Sequence, residues 1–130
     1  MDLPPSTTLS DAPCTVAPDG SEVRVLLSTD RGSMAQFELV PGRASLAVRH
    51  RTVEEIWLVL EGRGEMWRRR GASEAVTPLE PGVCLAIPVG TAFRFRNLGP
   101  TALRVLAVTM PPWPGDSEAE PVPDGPDWAS

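Results

Sequence analysis

Prolines and glycines divide this chain into short apolar segments, and this division constrains the fold more than any other feature of the sequence. The 130 residues include 15 prolines and 11 glycines, most of which lie between short apolar runs. Proline ends or kinks an α-helix and both residues favour turns, so the spacing favours many short strands over helices. A chain of this length suffices for one domain with a hydrophobic core. The sequence therefore predicts an all-β sandwich or barrel.

Alternation of apolar and polar residues predicts about eight strands. They cover residues 21–28, 33–40, 44–50, 55–61, 65–70, 83–87, 93–97 and 101–110. Within 44–50 the alternation places Leu46, Val48 and His50 on one face of the strand and Ser45 on the other.

The predicted strands define one barrel domain over residues 22–110, with a different kind of segment on each side. Residues 1–21 are rich in proline, serine, threonine and aspartate, which predicts a loose N-terminal arm. Residues 111–130 predict a proline-rich, acidic C-terminal tail that is too interrupted for helix or sheet. Its tryptophans, Trp113 and Trp128, are candidates for docking the tail on the barrel.

The charge distribution argues against several classes of partner. The net charge is −5, and the acidic excess lies in residues 111–130, whereas the charges of the preceding residues balance. No basic surface of the kind that binds nucleic acid is indicated. No apolar stretch reaches the roughly 18 residues of a membrane span, and the N-terminus has no basic start or apolar run. We therefore expect a soluble, cytoplasmic protein with no nucleic-acid or membrane partner.

Two spaced motifs carry the strongest functional signal. The first consists of Gly42, Val48, His50, Glu55 and Gly62. The second consists of Gly82, Pro88, Gly90, Phe93 and Asn97. Both keep the residue spacing of the two cupin motifs, so the chain resembles the cupin superfamily between residues 42 and 97. The resemblance implies an all-β double-stranded β-helix, the jelly-roll barrel of the cupins.

The resemblance also bears on whether the chain can bind a metal ion. Metal-binding cupins hold one divalent ion with three histidines and a glutamate, but here Val48 and Phe93 take the places of the first and last histidine. Neither side chain has a lone pair, and His50 is the only histidine in the chain. His50 and Glu55 alone fall short of the three protein ligands that catalytic zinc normally takes. We expect no cofactor, with a weak divalent metal on His50 and Glu55 as the residual alternative.

The motif residues are also candidates for a ligand site in the barrel. His50 and Glu55 are either a mutually satisfied core pair or a pair that contacts a ligand, and both interpretations stay open. Their predicted apolar companions in the pocket are Val48, Trp57, Phe93 and Phe95. These side chains could equally fill a small barrel, although aromatic residues beside one polar pair are typical of a small-ligand site.

The favoured function is a single-domain cupin that binds a small molecule, of unassigned identity, in the barrel pocket. The alternative is a cupin enzyme of isomerase, epimerase or cyclase type, in which His50 is the acid/base and Glu55 orients it. A metal-dependent oxygenase ranks third. The resemblance further implies a homodimer, and the strand at 55–61, which is apolar on both faces, is compatible with one.

Two predictions concern residues outside the pocket. Cys84 is expected to be a small buried apolar residue. Arg94 and Arg96 alternate with the two phenylalanines of their strand, so they are expected to face solvent.

Overall fold

The computed structural model describes residues 3–128, which form two antiparallel β-sheets. The strands are β1 (Cys14–Val16), β2 (Glu22–Ser28), β3 (Ser33–Leu39), β4 (Val48–His50), β5 (Glu54–Glu61), β6 (Gly64–Arg70), β7 (Ser73–Leu79), β8 (Cys84–Ile87), β9 (Ala92–Asn97), β10 (Leu103–Met110) and β11 (Ala119–Pro121). The only helical elements within residues 3–128 are two single 3-10 turns, Leu9–Asp11 and Asp116–Glu118. In this range no helix has the length and apolar character needed to cross a membrane. The cytoplasmic location stays a prediction.

The strand order shows a jelly roll. One sheet has the order β1-β2-β3-β10-β5-β8 and the other has the order β11-β4-β9-β6-β7. Successive strands cross repeatedly from one sheet to the other, and the paired strands are antiparallel, as in a barrel made of two facing sheets. The predicted all-β double-stranded β-helix is therefore confirmed.

The hydrophobic core lies between the sheets and is built from the inward faces of alternating strands. β5 contributes Trp57 and Val59, as its alternation predicted, and β9 contributes Phe93 and Phe95. Met66 of β6 packs in the same cluster. Each of these side chains stabilises the fold by about 1.5–3 kcal/mol through the apolar surface that it removes from water.

Gly62 shows why the first motif ends in glycine. Its φ of 88° lies in the left-handed region that favours glycine. A Cβ at this position would lie 2.5 Å from the carbonyl oxygen of Ala102. The glycine therefore lets the turn between β5 and β6 pass close to the start of β10.

Three strands were not predicted, and two of them lie in segments that were expected to be irregular. β7 completes a hairpin with β6. β1 pairs with β2, so the N-terminal arm is not loose at Cys14–Val16. β11 pairs with β4, so the tail does contain sheet at Ala119–Pro121. Neither segment has a strong alternation of its own, and each becomes a strand because an edge strand offers unpaired backbone groups.

The strand predicted over 44–50 forms only at Val48–His50. The residues before it show the opposite burial to the one that the predicted alternation implied. Ser45 is buried, whereas Leu46 is 52% exposed. The Ser45 N–H donates to the Phe95 carbonyl (2.8 Å) and the Ser45 hydroxyl accepts from the Phe95 N–H (3.0 Å). The Leu46 N–H donates to the carbonyl of Asp19 (2.6 Å). Hydrogen bonds to the Ser45 hydroxyl and to the N-terminal arm thus replace the regular strand pairing here. The predicted alternation of buried and exposed side chains is lost as a result.

Arg94 is buried, contrary to the prediction that it faces solvent. Its Nε donates to the carbonyl of Ser45 (2.6 Å) and its Nη1 to that of Pro126 (2.7 Å). The Trp128 ring lies over the guanidinium groups of Arg94 and Arg96, at 5.8 Å and 4.3 Å from the ring centroid. The C-terminal tail therefore covers this face of the second sheet, which the sequence pattern of β9 did not reveal.

Cys84 is exposed, and the prediction of a buried residue was wrong. It pairs in register with Leu58, at the edge of the first sheet. The tail covers the outer face of the second sheet, whereas the outer face of the first sheet keeps Ile56 and Leu60 partly exposed.

Candidate functional site

A cavity of about 190 Å³ lies inside the barrel. Its inner walls come from β2, β3, β4, β5, β9 and β10. The N-terminal arm lines it with residues 15–19, and the C-terminal tail with Trp113, Asp116 and Ala119. The two segments that the sequence assigned to positions outside the barrel thus complete the wall of its cavity.

His50 and Glu55 lie together at this cavity, as the motif spacing predicted. β4 and β5 belong to different sheets, so the pair bridges the two layers. His50 Nδ1 is 3.0 Å from Glu55 Oε2, and the two residues are only 4% and 2% exposed. The two atoms are close but poorly aligned, so Nδ1 has no hydrogen-bond partner among the described residues. Glu55 Oε1 accepts a hydrogen bond from Trp57 Nε1 (2.8 Å).

Burial shifts the pKa values of the pair in opposite directions. It lowers the pKa of His50 to about 4, against a smaller opposing effect of the Glu118 carboxylate. It raises the pKa of Glu55 to about 7, opposed by the Trp57 hydrogen bond and assisted by the nearby Asp19 carboxylate. Near neutral pH the imidazole is therefore uncharged, and Glu55 is the group of the pair that gains or loses a proton.

Aromatic rings form a continuous wall of the cavity. Phe37 stacks on Trp57 with the ring centroids 5.7 Å apart, and Trp57 meets Phe93 edge-to-face at 6.1 Å. The ring of His50 lies 5.1 Å from that of Phe93 and 5.0 Å from that of Trp113. The rings of Phe37, Trp57, Phe93 and Trp113, which we call the aromatic wall, place apolar surface directly beside the polar pair.

The structure places five of the six predicted ligand contacts at the cavity: Val48, His50, Glu55, Trp57 and Phe93. Phe95 does not line it, so the structure does not bring this candidate to the site. Phe95 is fully buried against Trp57, with the ring centroids 4.9 Å apart. It shares a strand face with Phe93 but lies two residues further along β9, where it fills the core.

Three important cavity residues were not among the candidates. Phe37 gave a usable signal, because the alternation within residues 33–40 places it on one face of the strand with Ala35 and Leu39. Trp113 was recognised only as a residue that docks the tail, with no indication of where. Asp19 gave no signal, since its position depends on the pairing of β1 with β2.

Asp19 is a second buried carboxyl group at the cavity. Its Oδ1 accepts hydrogen bonds from the Ser21 N–H (3.0 Å) and the Ser21 hydroxyl (2.6 Å). Burial raises its pKa, although these two hydrogen bonds act in the opposite direction. The cavity therefore holds two buried acidic groups, Asp19 and Glu55.

The donor set does not fit a tightly bound divalent metal. Val48 and Phe93, at the positions that carry histidine in metal-binding cupins, are direct partners in the register of β4 and β9. Within residues 3–128, no group of three or more histidine, cysteine, aspartate or glutamate side chains is placed to hold an ion. Structural and catalytic zinc sites normally need at least three protein ligands.

Glu118 attaches the tail to the loop that follows His50. Its carboxylate accepts hydrogen bonds from the backbone N–H groups of Thr52 and Val53 and from the Thr52 hydroxyl. The Arg51 N–H donates to the Glu118 carbonyl (3.0 Å). Burial acts to raise the pKa of Glu118, but the hydrogen bonds outweigh it and the pKa is lowered. This carboxylate fixes the tail next to the cavity that Trp113 helps to line.

Comparison with known sequences defines the family. The sequence model of the cupin domain family matches residues 35–109. The chain is also 31% identical over 103 residues to an uncharacterized protein of Methanocaldococcus jannaschii, MJ1618, covering 75% of this chain and 79% of that protein. The chain therefore belongs to the cupin domain family, and the resemblance read from its two motifs is confirmed.

Solved structures share the fold at low sequence identity. The capsular polysaccharide assembling protein CapF from Staphylococcus aureus is 20% identical with a TM-score of 0.73, over 85% of this chain and 34% of CapF. The chain thus spans about a third of CapF. A predicted oxalate decarboxylase from Thermotoga maritima is 23% identical with a TM-score of 0.67, over 80% of this chain and 96% of that protein. KdgF from Halomonas sp. is 16% identical with a TM-score of 0.69, over 84% and 94% of the two chains. These similarities show the fold alone.

Proposed function

We propose that this cupin binds a small molecule in its barrel cavity, with His50 and Glu55 contacting a polar group of the ligand and the aromatic wall contacting its apolar part. The observation that carries the proposal is a buried polar pair beside an aromatic-lined cavity. Pockets for small ligands are typically apolar and aromatic, with a few polar groups that set the orientation of the ligand.

The geometry of the pair favours a ligand-contacting role over a purely structural one. A buried histidine that only supports the core is expected to have its polar atoms satisfied. His50 Nδ1 has no aligned partner within residues 3–128, and His50 is one of the residues that line the cavity. A ligand donor that reached Nδ1 would remove the free-energy cost of leaving this atom unpaired, which is about 1–3 kcal/mol.

An enzyme of isomerase, epimerase or cyclase type is the second candidate, and the pKa values support it. A general acid or base works best with a pKa near the working pH, and burial raises that of Glu55 to about 7. The pKa of His50 lies at about 4, so in this version Glu55 moves the proton and the neutral His50 positions the substrate. This exchanges the roles first assigned to the two residues.

A fragment screen with a cavity-filling variant tests binding. Uncharged fragments of one to two rings, or of similar size, are titrated into the wild-type protein by ligand-observed NMR. Ala35→Leu narrows the cavity, whereas the matched change Ala75→Leu lies on the exposed face of β7. We expect fragments to bind the wild type and Ala75→Leu but not Ala35→Leu. Absence of binding to folded wild type, or equal binding to all three proteins, would contradict the proposal.

The same experiment separates a binder from an enzyme once a bound molecule is found. The NMR signals of that molecule are followed over hours with wild-type protein and with Glu55→Gln. Conversion by the wild type and retained binding without conversion by Glu55→Gln would support the enzyme. Binding with no conversion by either protein would support the binder.

We further propose that two copies of the chain pair through the outer face of the first sheet. β5 and β10 present there the side chains of Ile56, Leu58, Leu60, Leu106 and Val108. Ile56 is 51% exposed and Leu60 is 39% exposed, which leaves an apolar stripe partly open to solvent. The stripe itself carries no charged side chain, so two identical faces related by a twofold axis would cover each other without like-charge contact.

A further inference from the structure

The ionisable groups that line the cavity are all acidic, apart from the single histidine. The acids are Asp19, Glu55 and Asp116, with Asp116 at the exposed end contributed by the tail. The chain has 12 arginines and no lysine, and none of these arginines lines the cavity. Burial keeps His50 uncharged near neutral pH. The cavity therefore offers carboxyl groups, which a bound cation would hold in their charged form, and hydrogen-bond acceptors, with no fixed positive charge.

The two buried carboxyl groups lack a cationic partner among residues 3–128. The carboxyl group of Glu55 contacts His50 and Trp57, and that of Asp19 accepts hydrogen bonds from Ser21. Among the ion pairs formed within residues 3–128, none joins either carboxylate to an arginine. Buried carboxylates are normally paired with a cation, because desolvation of an isolated charge is costly. The missing positive charge can be supplied by a ligand that enters the cavity.

The aromatic wall supplies the second feature that such a ligand needs. Phe37, Trp57, Phe93 and Trp113 surround the same space that the two carboxyl groups border. The face of an aromatic ring attracts a cation through its quadrupole, most strongly when the cation is desolvated, and a quaternary ammonium group fits such a surface well. Carboxyl groups beside aromatic rings, with no positively charged side chain, form a combination that selects a cationic ligand.

We infer that the ligand of this cavity is a compact cation of the alkylammonium class, held by the carboxylates of Glu55 and Asp19 and by the aromatic wall. The inference rests on the proposed binding function and adds the charge and class of the ligand. It excludes carboxylates and phosphates as the preferred ligands, because these anions would meet two carboxyl groups and, apart from the uncharged His50, no basic side chain.

Three probes of the same branched shape and different charge test the inference. They are choline, its uncharged carbon analogue 3,3-dimethylbutan-1-ol, and the anion 3,3-dimethylbutanoate. Calorimetric titration of each probe at neutral pH measures its affinity for the wild-type protein. We expect choline to bind at least about tenfold more tightly than the alcohol, and the anion to bind most weakly.

Two variants locate the charge that produces this preference. Glu55→Gln removes one buried carboxyl group and keeps the size of the side chain. Glu54→Gln is the matched control, since Glu54 is the preceding residue of β5 and is exposed. We expect Glu55→Gln to reduce the affinity for choline by about tenfold and to leave the affinity for the alcohol within about twofold. Glu54→Gln is expected to change neither.

The outcomes separate this inference from the proposed function. If the alcohol binds as tightly as choline, or the anion binds more tightly, the inferred charge is wrong while binding in the cavity stands. If choline binds and Glu55→Gln has no effect, the cation does not occupy this site and the inference is also overturned. If none of the three probes and no uncharged fragment binds to folded protein, both the inference and the proposed function fail.

Discussion

Trp113 lies edge-on against His50, with the ring centroids 5.0 Å apart and an angle of 69° between the ring planes. This contact joins the C-terminal tail to the only histidine of the chain. The tail is held in place by Glu118, whose carboxylate binds the loop at Thr52 and Val53. A residue outside the predicted barrel therefore determines the position of one wall of the candidate site.

Replacement of Glu118 by alanine should destabilise the protein. Glu118→Ala leaves the N–H groups of Thr52 and Val53 without their acceptor, and Val53 is fully buried. We expect the free energy of unfolding to fall by about 1–3 kcal/mol, as measured by urea denaturation. Glu120→Ala is the control, because the pair that Glu120 forms with Arg51 is about half exposed, and its effect should stay within about 0.5 kcal/mol. Equal losses in the two variants would contradict the assigned role of Glu118.

His50 and Glu55 should make opposite contributions to the pH dependence of stability. The pKa of His50 falls from 6.5 to about 4 on folding, so its contribution is complete above pH 6.5 and is lost as the pH falls through about 4. The pKa of Glu55 rises from 4.5 to about 7, so its contribution is complete below pH 4.5 and is lost as the pH rises through about 7. Between pH 4.5 and 6.5 each state of the protein holds one proton on the pair, and the two slopes cancel.

Single substitutions should reveal the pH dependence of stability that each residue contributes. In His50→Gln only Glu55 titrates, so the free energy of unfolding, relative to wild type, should fall as the pH rises from 4.5 to 6.5. In Glu55→Gln only His50 titrates, so the free energy of unfolding, relative to wild type, should rise over the same pH range. The expected slope is at most about 1.4 kcal/mol per pH unit in each case, and urea denaturation at several pH values measures it. The double variant should regain the slope of the wild type. Slopes of the same sign in the two single variants would show that the pKa shifts have been assigned wrongly.

A charge on the outer face of the first sheet should disrupt the proposed homodimer. Ile56→Arg places a guanidinium in the middle of the apolar stripe, where a second copy would have to desolvate it. Light scattering should then show a monomer for Ile56→Arg, and we expect it to show a dimer for the wild type. Val76→Arg is the matched control, because Val76 is similarly exposed at 49% but lies on β7 of the other sheet. A wild-type protein that is monomeric at every concentration would exclude the dimer.

The residues that the sequence placed correctly are those whose position follows from local spacing. Side chains of a strand alternate with a period of two, so His50 and Val48 share a face, as do Glu55 and Trp57. The motif spacing then brought the two strands to the same cavity. Once the barrel was recognised, the polar pair and most of its apolar surroundings could be predicted.

The residues that the sequence misplaced depend on contacts between distant segments. Phe95 has the same local pattern as Phe93, but it packs against Trp57 of the opposite sheet and does not line the cavity. Asp19 and Trp113 reach the cavity on segments that are held by the pairing of β1 with β2 and of β11 with β4. Backbone pairing of this kind depends on unpaired strand edges, which local alternation does not encode.

Restoring the two missing histidines should create a metal site, and this change tests the alignment of the chain with metal-binding cupins. Val48 and Phe93 face each other across β4 and β9, and the ring of Phe93 lies 5.1 Å from that of His50. The double change Val48→His and Phe93→His would therefore bring three imidazoles and Glu55 together, which suffices for zinc or another first-row divalent ion. The space left by the phenylalanine and the lack of partners for the new imidazoles should reduce the affinity.

Metal analysis and calorimetric titration of protein without a histidine tag should show far less than one ion per chain in the wild type and about one in the double variant. Adding His50→Gln should weaken the new site by removing one ligand. A stoichiometric ion in the wild type would contradict the reading of its donor set, and a double variant that binds no better would contradict the alignment of Val48 and Phe93 with the ligand positions.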